Sequence, residues 1–382
     1  MFQNSLFRAS KNISEFNQPL AQHVGGFDIT FEHYLQSDIY NKTTLGDSDQ
    51  SKIVLISGDT IKIPSGYTVT PASPKKSLVI LCNTFINNGT ISMTAKGPNV
   101  LPHDYLLLGK EDEFDEDIVI PAYANNGKSF DYGNTPQNGV NGNDGVNRHC
   151  GSGGGPSHIR ANGSKEANCY ISGLTGSGSA FAGGGGCGSC NGTHGTGSFN
   201  ANPTYPMRGI SGRNLVTTSG FRCGGPGGVG NYPGSNVNGD YWSEKYTVVQ
   251  NTGVGGRIVI FCSSFTNNGT ISSKGTDSRF GFTGDKRTTG NSGGASGGGA
   301  VDIFYNSLVE EGTITVEGGK GVNGKAPADY SSAVKKSGNG GSGSITFLQW
   351  DKEQVTRIKY GTLATPESIV YFFNQYQNKL LT

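Results

Sequence analysis

Several kinds of residue are scarce in this chain, and each scarcity narrows its function. Only 15% of residues are charged, and the two signs nearly cancel, 30 Lys and Arg against 29 Asp and Glu. No basic stripe of the sort that tracks phosphates is present, so nucleic acid is not an expected partner. No run of 18 apolar residues occurs, so membrane insertion through a helix is not expected. Residues 1–20 lack the apolar core of a secretory leader. This predicts a chain that is not exported by the usual route, or one released by lysis. GxSxG, HExxH and P-loop signatures are missing, and GxGxxG fragments in so glycine-rich a chain have no diagnostic value. Apolar residues reach only 33%, below the usual share of about 45–50%. Such a composition normally means disorder.

Two features oppose disorder. Aromatic residues make up 10%, with 16 Tyr and 19 Phe, whereas disordered segments are poor in them. Glycine, at 62 residues, is also unevenly placed: 43 of them fall between Gly133 and Gly299, so a glycine-rich block sits between ordinary β segments. The block has no Gly-X-Y period and the chain has only 15 Pro, which excludes collagen.

Outside the block the pattern is β. KIVLISGDTIKIPSGYTVT (52–70) holds two β-branched runs broken by turn signals. The phrase NTFINNGTI (83–91) returns as SSFTNNGTI (263–271) and as NSLVEEGTI (306–314), while GSITFLQW (343–350) repeats only the strand that precedes it. Asn-Gly suits a corner because both residues tolerate positive φ. Repeated strand-rich units predict coils that bury their faces by stacking. In that reading Phe85, Phe265 and Leu308 stack, with Ile91, Ile271 and Ile314 beside them. Asn88, Asn268 and Asn191 each precede Gly-Thr, and Asn162 precedes Gly-Ser. These match the glycosylation acceptor pattern, but at 88 and 268 the corner already explains the Asn-Gly. Cys82 and Cys262 lie at matching places on the apolar runs LVILC and IVIFC and read as buried structural thiols.

Some clusters have chemical potential. Cys187 and Cys190 form a CxxC with His194 four residues on. Together they are candidate ligands for a structural zinc or iron. A second CxxC is missing, so metal, disulfides and free thiols all remain compatible, and no cofactor is required. The acidic run at 111–117 offers paired carboxylates, yet its spacing fits no calcium loop and charge runs are mostly solvated surface. Residues 365–381 make the best helix: Thr365 is a candidate N-cap, Pro366 occupies N1, and Ile369, Phe372, Phe373, Tyr376 and Leu380 form one stripe.

GGGGCGSC, GGASGGGAVDIFY and the NNGTI-type strands resemble the glycine-rich receptor-binding adhesins of bacteriophage tails, over roughly residues 51–350. The resemblance implies polyglycine-II-like extended strands and loops that touch a bacterial surface receptor, protein or glycan. It places those loops at 156–172, 198–222 and 231–250. The last two carry Tyr205, Arg208, Arg213, Phe221, Arg222, Tyr232, Tyr241, Trp242 and Tyr246, and aromatics and Arg are what an interface uses.

The expected organisation is an attachment module at 1–50 that docks onto other tail proteins, then β-repeats at 51–132. A glycine-rich receptor-binding region at 133–300 follows, then β-repeats at 301–350 and a helical cap at 351–382. The expected fold is all-β, solenoid- or sandwich-like. The expected function is non-enzymatic adhesion from a virion tail tip or fibre by a homo-oligomer, expected to be a trimer. The alternatives are a β-helical polysaccharide depolymerase and a purely structural tail or surface protein.

Overall fold

A computed structural model describes residues 7–10, 31–35, 44–50, 52–98, 105–108, 119–121, 127–133, 137–146, 148–155, 157, 171–186, 253–278, 294–323 and 335–349. The strands among them are, in chain order, β1 (Phe7–Ser10), β2 (Phe31–Leu35), β3 (Ile53–Ile63), β4 (Thr68–Val69), β5 (Ser77–Asn87), β6 (Thr90–Ser92), β7 (Tyr105–Leu108), β8 (Val119–Pro121) and β9 (Ser129–Gly133). They continue with β10 (Ile171–Leu174), β11 (Arg257–Phe261), β12 (Ser264–Asn267), β13 (Thr270–Ser272), β14 (Ala300–Tyr305), β15 (Ser307–Glu310), β16 (Thr313–Thr315) and β17 (Ser344–Gln349).

Eight strands form the main sheet. β5 pairs in parallel with β3 on one side and with β11 and β12 on the other; β2 extends it beyond β3, and β14, β15 and β17 extend it beyond β11 and β12. A second parallel sheet runs β4, β6, β13, β16. The small β1–β7–β8 and β9–β10 sheets are antiparallel.

This corrects the expected all-β solenoid or sandwich with polyglycine-II-like strands. The large sheets are parallel throughout and curl into a half-barrel, an arrangement more usual in α/β chains. No helix occurs among the described residues, and the helix expected at 365–381 lies outside them. The physical reason is that turn signals and strand runs are local. An Asn-Gly corner shows that the chain bends, but not which strand comes to lie beside it. Parallel pairing needs a long crossover, and here 180 residues separate β5 from its partner β11.

The pairing explains why the phrase repeats. Phe85 is in register with Phe265, and Phe265 with Leu308; Ile91, Ile271 and Ile314 form a second row. In-register parallel strands set like residues side by side, so one side chain that packs well against itself serves every copy. The Phe85 and Phe265 rings stack with centroids 5.2 Å apart. Asn87 donates through Nδ2 to Asn267 Oδ1 at 2.8 Å, and Asn267 donates in turn to the Glu311 carbonyl at 2.6 Å.

Between the two sheets lies a core of Val54, Ile56, Ile61, Ile63, Val69, Leu78, Ile80, Phe85, Ile91, Met93, Ile258, Ile260, Phe265, Ile271, Val301 and Ile303. Each such side chain contributes roughly 1.5–3 kcal/mol on burial. The alternate residues of the same strands, Val79, Leu81, Val259, Phe261 and Phe304, are buried as well, as a parallel sheet covered on both faces requires.

Glu32, Asp47 and Asp49 are gathered at the sheet by one buried lysine. Lys75 Nζ donates to Glu32 Oε1 at 2.7 Å, to Asp47 Oδ1 at 2.9 Å and to the Asp49 carbonyl at 2.9 Å, so all three of its hydrogens are used. Lys52, and after it Lys75, holds the Asp47 carboxyl well below its usual range.

Candidate functional site: the outer end of the glycine segments

Glycine segments feed the central strands directly: 253–256 run into β11, 294–299 into β14 and 337–343 into β17. Their backbones bond to one another with a step of three residues. Gly139, Gly142 and Gly145 donate to the carbonyls of Lys336, Asn339 and Ser342 at 2.8, 2.8 and 2.7 Å. The side chains of Asn138, Asn141 and Asp144 accept from the amides of the same three residues at 2.9, 2.9 and 2.8 Å. These polar pairs satisfy backbone groups that would otherwise be orphaned.

Side chains are excluded from the interior of this layer. A Cβ on Gly297 would strike the carbonyls of Gly151 and Ser152, and one on Gly186 would strike those of Gly294 and Ala295. Residues with bulk must therefore sit at the rim. At the end away from the sheets, Gly154 donates to Ala295 O (2.9 Å), Ala295 to Gly338 O (3.0 Å), Gly338 to Gly155 O (2.8 Å) and Gly155 to Val140 O (2.8 Å). The Ser278 and Ser337 hydroxyls meet at 2.9 Å, and the Val322 amide donates to Ser278 Oγ at 3.0 Å. The Gly253 amide donates to Thr276 Oγ1 at 2.9 Å, and that oxygen lies 3.2 Å from Ser296 Oγ.

Three intervening stretches, 187–252, 279–293 and 324–334, are flanked by residues that adjoin this cluster, whereas 158–170 leads into β10, which pairs with β9. All nine expected receptor-binding residues, Tyr205, Arg208, Arg213, Phe221, Arg222, Tyr232, Tyr241, Trp242 and Tyr246, fall in 187–252 and lie outside the described residues, as do Cys187, Cys190, His194 and the acidic run. The described residues that flank the stretch both adjoin the 294–296 segment: Gly186 packs against Gly294 and Ala295, and Gly253 reaches Ser296 through the Thr276 hydroxyl. Among the described residues, no group of three or more His, Cys, Asp or Glu side chains is placed to hold a metal.

The other ends of the glycine segments meet the sheet at a feature that the sequence analysis missed. Arg257 and Asp302, both fully buried, form an ion pair through Nη2 and Oδ2. Arg257 Nη1 also donates to the carbonyls of Arg148 (2.9 Å) and Ala180 (2.8 Å), bolting the glycine layer to β11. Burial pushes the Asp302 carboxyl up, against the opposing pull of Arg257. The available signal was a lone charge in each of two otherwise apolar repeated runs, GGRIVIF and GAVDIFY.

Cys150 lies close by and, like Cys82 and Cys262, is buried and in no disulfide. Burial raises all three thiols, Cys150 to about 12. Native protein treated with a maleimide at a pH of about 8 should leave these three unmodified in peptide mass mapping and label them only after denaturation, because the thiolate is the reactive form. Labelling of the native protein at any of them would contradict this packing.

Comparison with protein-family models, curated proteins and solved structures found no match to this chain.

Proposed function

We propose that the chain is a non-enzymatic receptor-binding adhesin of a phage tail or tail-like particle, contacting a bacterial surface receptor through residues 187–252. One observation carries the reading: a long aromatic- and Arg-bearing stretch departs from and returns to a rim whose backbone hydrogen bonds make a rigid base. Recognition commonly resides on loops held by a rigid scaffold, and aromatics and Arg dominate interface energetics. Display of several copies, in a homotrimer or a similar assembly on a tail tip, would raise avidity without new contacts. Residues 1–50 are proposed to dock onto other tail proteins.

Point variants test the reading. Trp242→Ala and Arg222→Ala should each weaken binding of the purified chain to susceptible bacteria by about tenfold or more, the loss expected of a central interface anchor. The melting temperature should stay unchanged. Full-strength binding by both variants would refute the assignment. Incubation with host surface glycans should release no reducing ends; release would mark a depolymerase instead.

A further inference from the structure

The repeated phrase ends on an open edge. β17 continues the main sheet beyond β14, but beyond β15 and β16 no strand follows among the described residues. All four residues of β15 are exposed, Leu308 by 37% and Val309 by 66%, whereas Phe85 and Phe265, the counterparts of Leu308, are fully buried. A bare parallel edge with apolar side chains invites another strand.

We propose that residues 357–364 of the same chain, RIKYGTLA, are a fourth copy of the phrase and add to this edge as its next parallel strand. Tyr360-Gly361-Thr362-Leu363 stands against Glu311-Gly312-Thr313-Ile314 residue for residue. The chain also leaves β17 in the right place: Gln349 is in register with Tyr305, and its Nε2 donates to the Asn306 carbonyl at 3.1 Å, one residue before β15 begins. Seven residues, 350–356, are available to link the two positions.

Charge complements the match. Two positions before the glycine, the first two copies carry Asn87 and Asn267, which bond to each other directly. The third carries Glu310 and the fourth Lys359. Directly opposite charges on paired strands attract, and like charges repel. Glu310 therefore discourages a second copy's β15 from pairing here and favours the lysine-bearing segment. The aliphatic stem of Arg357 would cover Leu308 while its guanidinium reaches water.

Cross-linking in the full chain tests this. Thr313→Cys combined with Thr362→Cys should form an intrachain disulfide under mild oxidation, read by peptide mass mapping, since paired strands bring Cα atoms within disulfide range. A disulfide between two copies, or none, would overturn the proposal. Charge reversal gives an independent check: Lys359→Glu should lower the unfolding midpoint, and adding Glu310→Lys should restore it. A midpoint unmoved by Lys359→Glu, or not recovered in the double variant, would also overturn it.

Discussion

Gly297→Ala should cost at least about 3 kcal/mol of stability, the upper range for overpacking a well-filled interior. The new methyl would meet the carbonyl of Gly151 and lie 2.9 Å from that of Ser152. Neither obstacle is the end of a side chain that can turn aside. Both belong to backbone whose own hydrogen bonds, such as the 2.8 Å bond from Gly297 N to Gly184 O, fix the spacing. The segment would have to move outward and break several such bonds at once. Gly66→Asn is the matched control, because Gly66 has φ of +84° and a Cβ added there would meet nothing within 4 Å. Asn tolerates that backbone, so its cost should stay within about 1 kcal/mol. Denaturant unfolding of the two variants measures the contrast, and equal losses would show that close backbone approach does not hold the layer together.

Asp302→Ala should destabilise by about 3–5 kcal/mol, because it leaves the Arg257 guanidinium buried with its charge uncompensated. The pair itself is not expected to be strongly stabilising. Arg257 Nε has no hydrogen-bond partner among the described residues, and two charges have been taken out of water. Replacing both partners, Arg257→Met with Asp302→Leu, should therefore be far milder than the single change, neutral or stabilising by about 1–4 kcal/mol. A double variant as damaged as Asp302→Ala would show instead that the Arg257 bonds to the Arg148 and Ala180 carbonyls dominate. Thermal unfolding of the three proteins separates these outcomes.

The sequence carried some of this structure openly and hid the rest for identifiable reasons. The rows of Phe85 with Phe265 and of Ile91 with Ile271 were legible because like residues recur at like positions. The buried state of Cys82 and Cys262 was legible from the apolar runs they close. The direction of pairing was not, since apolar strand runs and Asn-Gly corners look the same whether the next strand is antiparallel and local or parallel and 180 residues away. That ambiguity produced the all-β expectation that the parallel half-barrel overturned. Lys75 was equally hidden: in TPASPKKSLVIL it reads as one of two surface lysines, and only the fold brings Glu32 and Asp47 to it. At the candidate site, the glycine runs showed where side chains could not go. They did not show that residues 154, 186, 294 and 338 would converge, which depends on backbone bonds between segments far apart in the chain.

The most direct test replaces residues 198–250 with a short Gly/Ser linker, which can bridge the stretch because Gly186 and Gly253 both adjoin the 294–296 segment. Fluorescently labelled protein is then scored by flow cytometry on bacteria that bind the unaltered chain. Cell binding should be lost while the unfolding midpoint stays unchanged. Undiminished cell binding by the shortened chain would contradict receptor recognition through this stretch.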